Sequence, residues 1–347
     1  MRILFCDFIF QKGNAHVDTE LVKSFVRNNK VTVMANHDRL TEKICGVDFV
    51  ENKHYYRKKG TLKIYWGILR NMYLAAKYAN SHKPDLVFIS VYETRMFLLG
   101  RLFFKNKKNI VIMENANIDY LSQKSHLFFY KKYSNKVFHA VYEEYMKDYL
   151  VKEIAVPSER IFVVPHPCYN YSFQNAITQY DCIAISGSND EDIIREFVQY
   201  ENKTHRLKDA GIKVLIKSKN TKFDDGFLKV DNTYYSNEEY NSLYSSARVI
   251  FTPFPKTYKY RMSGCFVDSF SHKKPVISSP IMLAKYYEKK YPNIISTSDN
   301  MDSIFNGIIQ YSKEGVKDET VFDDFLRMHS EKSLNESIDI LLEGIQR

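Results

Sequence analysis

Short apolar runs that read as strands alternate with helical patterns along the whole chain, in two successive series. That alternation is the mark of βαβ units, in which parallel strands are joined by crossover helices, and it makes the class α/β. In the first half, residues 2–7, 31–35, 85–90, 109–114 and 137–141 read as strands, with helices near 18–27, 61–78 and 94–104. A second series follows residues 163–164 and the turn Pro165-His166-Pro167, with strands at 182–186, 213–217, 249–252, 275–278 and 293–296. At 347 residues the chain is long enough for two domains, each burying its own core. We place the first at 1–165, a linker lacking periodicity at 166–179, and the second at 180–347, with the last helix expected to pack back on the first domain. Ligands of two open parallel sheets are expected beyond the carboxyl ends of the strands, in the cleft where the domains face each other.

Composition narrows the function classes. The five cysteines, Cys6, Cys45, Cys168, Cys182 and Cys265, are scattered and show no metal-ligand spacing, so they read as reduced, mostly buried thiols with no metal expected. No run reaches the roughly 18 consecutive apolar residues of a spanning helix, and the first residues lack the features of a cleavable signal. The expected location is the cytoplasm. Net charge is uneven: residues 1–170 hold 27 Lys+Arg against 16 Asp+Glu, whereas residues 171–347 hold 23 against 25. A basic excess confined to one aromatic-rich half points to an anionic membrane surface, and no nucleic acid partner is expected.

The most specific segment is YKYRMSGCFVDSFSHKKPVISSP, residues 258–280, in which a strand passes through a Lys- and Pro-containing loop into a helix and back to a strand. It is preceded by a turn, the capping-box pair Ser236 and Glu239, and a helix ending Leu243-Tyr244-Ser245-Ser246-Ala247. This order resembles the donor-binding signature of family 4 and related bacterial surface-polysaccharide glycosyltransferases, whose fold is GT-B, two Rossmann-like doubly wound domains facing across a cleft. The resemblance is sharp over residues 232–280 and otherwise lies in the layout. It implies that Asp268 takes the place of the carboxylate that binds the ribose hydroxyls. Ser263 and Gly264 would stand at the helix N-terminus that meets the diphosphate, with Arg261 adding a fork for phosphate oxygens. The family's first glutamate falls at Tyr260, and a lysine, Lys274, stands where the family's loop has glycine.

Further positions follow from the same resemblance. Gly187 and Ser188 follow the first strand of the second domain, where the family has a glycine turn under the donor phosphates, and Lys217 is a candidate phosphate cation. Gly13, Asn14 and His16 follow the first strand, in the place of the loop that meets acceptor and donor phosphate. Glu114 and Asn115 sit where relatives carry a His-Asn pair near the reacting sugar, and a carboxylate there suits a base in an inverting reaction.

The expected helix near 61–78 has two stripes. Leu62, Tyr65, Leu69, Met72 and Ala76 form an apolar face expected to pack on the first sheet. Lys63, Trp66, Arg70, Tyr73 and Lys77 interleave cations with interfacial aromatics and form the expected membrane contact, which Arg57, Lys58, Lys59, Arg101, Phe103, Phe104, Lys105, Lys107 and Lys108 extend. The resemblance implies a hexosyltransferase-type enzyme moving a sugar from a nucleoside diphosphate sugar to a lipid-linked or glycan acceptor, without a cofactor, peripherally associated with the inner face of the membrane. A nucleotide-sugar epimerase on the same plan and a non-enzymatic sugar- or nucleic-acid-binding module remain the alternatives at this point.

Overall fold

A computed structural model describes residues 1–9, 14–36, 39–51, 61–107, 109–168 and 179–346. The chain divides into two compact units, the first comprising Met1–Pro167, Tyr260–Met262 and His329–Arg347, the second Cys168–Lys259 and Ser263–Met328. No helix among the described residues is long and apolar enough to cross a membrane.

The first unit runs β1 (Arg2–Asp7), α1 (Ala15–Val26), β2 (Lys30–Ala35), β3 (Val47–Glu51), α2 (Thr61–His82), β4 (Leu86–Val91) and α3 (Thr94–Gly100). It continues with β5 (Ile110–Met113), α4 (Lys124–Lys131), β6 (Phe138–Val141), α5 (Glu144–Lys152) and β7 (Ile161–Val163). The seven strands pair in parallel in the order β3-β2-β1-β4-β5-β6-β7. The central strands are buried on both faces and read as unbroken apolar runs, which is why they are legible in sequence. β3 (VDFVE) is an edge strand with three exposed and two half-buried positions and none buried, and the sequence reading has no element there.

The second unit runs β8 (Cys182–Ala184), α6 (Glu191–Thr204), α7 (Arg206–Ala210), β9 (Val214–Lys217), β10 (Phe223–Asp224), β11 (Leu228–Asp231) and α8 (Asn237–Ser246). Then come β12 (Val249–Thr252), α9 (Gly264–Ser271), β13 (Val276–Ser278), α10 (Met282–Lys290), β14 (Ile295–Thr297), α11 (Met301–Glu314) and α12 (Thr320–Met328). Its sheet has the order β10-β11-β9-β8-β12-β13-β14, parallel except for the short β10. The strand order 3-2-1-4 at the start of the first sheet, and its counterpart in the second, is that of a doubly wound nucleotide-binding fold. Ser236 and Glu239 form the reciprocal capping box at the start of α8.

The last helix, α13 (Glu331–Gln346), belongs to the first unit. Asp339 of α13 pairs with Arg27 at the end of α1 at 2.9 Å, and Gly344 lets the helix approach β7 so closely that a Cβ there would collide with the Phe162 ring.

One expectation about α2 needs correction. Leu62 is 76% exposed, so it is not on the packing face of α2. The buried stripe is Ile68, Asn71, Met72, Ala75, Ala76 and Ala79, and the small residues in its second half bring the helix axis close to its neighbours. The thiols are mostly buried, as expected: Cys6 and Cys182 are fully so, burial also pushes the Cys168 and Cys265 thiols up, and only Cys45 is exposed.

Close packing around α2 also yields a test. Gly100, the last residue of α3, faces the buried Met72 of α2, whose Cβ would lie 2.9 Å from an added methyl group. Gly100→Ala is therefore expected to lower unfolding stability by about 1–3 kcal/mol, because a backbone-proximal atom cannot swing aside. Chemical denaturation checks this, and an unchanged midpoint contradicts it.

Candidate functional site

The carboxyl edge of the first sheet is organised around Glu114, the residue after β5. It is fully buried and accepts four hydrogen bonds: from the Tyr92 hydroxyl at 2.8 Å, the Tyr130 hydroxyl at 2.6 Å, His139 Nδ1 at 2.7 Å and the Asn117 amide. His139 Nε2 lies 2.8 Å from the Ser134 carbonyl, which only accepts, so Nε2 carries a hydrogen and a proton also lies between Nδ1 and the carboxylate. Burial, with Glu114's charge adding to it, pushes the Tyr92 and Tyr130 hydroxyls well above the usual tyrosine range, so they stay protonated donors. Four donors on one side chain commit this carboxylate to holding the surrounding segments in place. Next to it, the Asn115 side-chain oxygen is buried without a hydrogen-bond partner among the described residues. Such an orphaned group costs stability unless something else supplies a donor.

The 3-10 turn Ala116–Ser122 follows, and its Asp119 accepts from the backbone N–H groups of Tyr260 and Arg261 and pairs with the Arg261 guanidinium at 2.5 Å. Tyr145 donates to the Tyr260 carbonyl at 2.9 Å, and the Tyr149 and Tyr260 rings stack at 3.7 Å. Arg261, expected at phosphate, is thus tied to Asp119 of its own unit.

A buried charge cluster lies at the carboxyl end of β1. Arg39 is fully buried between Asp7, at the end of β1, and Asp18, in the first turn of α1, with contacts of 3.2 and 2.6 Å. Ser90, near the end of β4, donates to Asp18 at 3.0 Å, and Asp7 also accepts from the Ile9 N–H at 2.8 Å. Burial pushes the Asp7 carboxyl up to about 7, Arg39 opposing and Asp18 adding. Asn14 is the N-cap of α1 without a side-chain cap, and His16 lies half-buried in the first turn of that helix. Gly13 lies outside the described residues, as do Arg57, Lys58, Lys59 and Lys108.

In the second unit the carboxyl edge carries the other residues expected at the donor. α9 starts at Gly264. Its N-cap Ser263 makes no side-chain cap hydrogen bond, and a Cβ at Gly264 would meet nothing within 4 Å. The first turn of the helix therefore has no side-chain cap, with room beside Gly264 although Ser263 itself is buried. One turn in, Asp268 is buried and accepts from the Tyr240 hydroxyl at 2.9 Å. Between them Cys265 lies against the hydroxyls of Ser186, Tyr240 and Tyr244, and burial pushes its thiol up. Gly187 and Ser188, exposed beyond β8, also face open space at the glycine. Asn189 then clamps the ends of two strands, donating to the Ala184 and Lys217 carbonyls at 2.7 and 3.0 Å. Lys217, at the end of β9, sets its ammonium 4.1 Å from the ring centre of Tyr234. The residue that takes the left-handed conformation after α9 is Lys273 (φ 53°), one before Lys274, whose ammonium instead donates to the Ser245 carbonyl at 2.9 Å.

Tyr92, Asn117, Tyr130 and His139 escape the sequence reading, although His139 is a polar residue inside an apolar strand and so carried a signal. Asp119 gave none, because its partner Arg261 is 142 residues away.

No protein-family model matches the sequence, and no curated protein matches it. Solved structures do match along nearly the whole length. Sucrose-phosphate synthase from Thermosynechococcus elongatus superimposes with a TM-score of 0.70 at 11% identity, covering 99% of this chain and 98% of that one. A glycosyltransferase from Rickettsia africae gives 0.66 at 11% identity over 100% and 98%. Anabaena HepE in complex with UDP and glucose gives 0.65 at 12% over 99% of each. The fold is that of the GT-B glycosyltransferases, two parallel-sheet α/β domains in one chain.

The buried Asp7 has a measurable consequence. Its folded-state value of about 7 lies above the roughly 3.9 of an unfolded aspartate, so the folded form binds the extra proton in that window. Its contribution to stability is complete below about pH 4 and is lost as pH rises to about 7. Unfolding free energies of wild type and Asp7→Asn, measured across this range, are expected to converge at low pH, with the wild type falling behind at higher pH. Parallel curves contradict it.

Proposed function

We propose that this chain is a glycosyltransferase of the hexosyltransferase type, moving a sugar from a nucleoside diphosphate sugar to a hydroxyl of a lipid-linked or polysaccharide acceptor. The setting is cell-surface polysaccharide synthesis at the inner face of the membrane. One observation carries the reading: the N-terminus of α9 has no side-chain cap, with room beside Gly264 and the Asp268 carboxylate one turn further in. Backbone N–H groups and the helix dipole suit a diphosphate, and a carboxylate at that distance suits vicinal ribose hydroxyls. The likeness in fold to a protein holding UDP and glucose supports the same donor class.

In the reaction the acceptor oxygen forms a bond to the anomeric carbon while the bond from that carbon to the diphosphate oxygen breaks, and the acceptor hydroxyl's proton passes to the departing diphosphate. Negative charge grows on the leaving diphosphate, and the α9 N–H groups stabilise it there. Gly187 and Ser188 add open backbone beside it, and Lys217 adds positive charge. In the first unit, Glu114 acts as a positioning residue: it fixes Asn117 and the turn after it, and leaves the Asn115 amide to meet a sugar hydroxyl.

Two measurements test this. Calorimetry with a panel of nucleoside diphosphates should show binding to wild type and a loss of about tenfold or more in Asp268→Asn, which retains an acceptor for Tyr240. No binding by the wild type, or equal affinity in the variant, overturns the donor assignment. Glu114→Gln should lower turnover without shifting the pH profile of kcat, because the carboxylate orders the loop and takes no proton. Loss of an acid limb from that profile would make Glu114 the base instead.

A further inference from the structure

The outer face of the first unit is apolar and basic across three neighbouring elements. On α2, Trp66 (71% exposed) and Tyr73 point outward along with Lys63, Arg70 and Lys77. α3 ends in a 3-10 turn, Arg101–Phe103, that leaves Leu99, Leu102 (64% exposed) and Phe103 uncovered. Phe128 of α4 is exposed as well, with the Lys132 ammonium 4.8 Å from its ring centre.

These elements are bound into one surface. The Tyr73 and Phe103 rings meet edge to face at 5.6 Å. Asn80 of α2 donates to the Phe103 carbonyl at 3.0 Å and accepts from the Lys105 N–H at 2.8 Å. Arg101 reaches the Lys136 carbonyl at 3.4 Å, which links the turn to the segment after α4.

Charge decides what can cover this surface. Residues 61–82 hold three Lys or Arg, residues 94–107 four and residues 120–136 four, and none of the three segments contains an Asp or Glu. The nearest acid at the start of α3, Glu93, is paired with Arg95 at 2.9 Å. A protein partner buries apolar area against matched charge of both signs, whereas exposed aromatics and leucines among cations alone fit a lipid surface of negative charge.

We infer that α2, α3 with its 3-10 turn, and the Lys124–Lys136 stretch form a single docking surface for an anionic bilayer. Leu102 and Phe103 enter the headgroup boundary, and the lysines and arginines meet phosphate. This deepens the acceptor part of the reading above, and it adds α4 and the Lys124–Lys136 stretch to the expected contact; Phe104, expected there, is instead fully buried. The surface also borders the candidate site, since Tyr120 in the turn after Asn115 stacks on His126 of α4 at 5.4 Å. A hydroxyl carried by a lipid is thereby delivered to the loop that Glu114 holds.

Trp66 is the chain's one tryptophan, so its emission reports contact directly. The experiment titrates the full chain with vesicles of phosphatidylcholine alone or mixed with phosphatidylglycerol. It compares wild type with Leu102→Ser/Phe103→Ser and with Lys131→Glu/Lys132→Glu, variants that leave α2 untouched. Wild type should show a blue shift and co-sediment only with the anionic vesicles, more weakly as salt rises. Each double variant should lose about tenfold in partitioning while keeping the wild-type melting temperature. Absence of a shift with anionic vesicles, equal binding to neutral ones, or variants that partition like wild type overturns the proposal. Nucleoside diphosphate binding measured without vesicles reports on the transferase reading alone, so either idea can fail without the other.

Discussion

Everything in this molecule depends on the geometry of the parallel crossover. A strand that must return to the same sheet in the same direction sends its helix back along the outside, so every segment that follows a strand emerges at one edge. In the first unit that edge collects Asp7, Arg39, Ser90, Tyr92, Glu114 and Asn115; in the second it collects Ser186 to Asn189, Lys217, Ser263 and Asp268. These residues are distant in sequence and share no local motif. The sheet alone makes them neighbours.

The two edges use polarity differently. In the first unit the polar groups are turned inward and bonded to one another, as around Glu114 and around Arg39, which fixes the loops but leaves few groups uncommitted. Buried ionic clusters of this sort contribute little net stability and are costly to break. In the second unit the backbone itself is presented, at Gly187 and at the start of α9, with side chains standing behind it. One edge is therefore locked by its side chains, while the other leaves backbone with room beside it.

The legibility of the sequence follows the same physics. Strands buried on both faces declare themselves as apolar runs, and the capping box before α8 declares itself through the Ser236 and Glu239 spacing. β3, β10 and β11 do not: β3 has no buried position, β10 is two residues long, and β11 (LKVD) alternates buried with half-buried residues, so none carries the run. Within α2 the periodicity of Ile68, Met72, Ala75 and Ala79 marks the packed side, yet Leu62 at the first turn extends past what it could pack on. At the site, Asp268, Ser263 and Gly264 were legible because one helix carries them. The partners of Glu114, and the tie between Asp119 and Arg261, depend on pairings between distant segments that no spacing rule encodes.

The return of α13 to the first unit has a consequence for how the protein is made. The helix lies against α1 and β7, with Gly344 seated under Phe162, yet it comes after every strand of the second unit in the chain. During synthesis the second unit can close as soon as its own residues have emerged. The first has its sheet in hand much earlier, but must wait with one side of α1 and β7 uncovered until the final helix leaves the ribosome. The unit begun first is the one completed last.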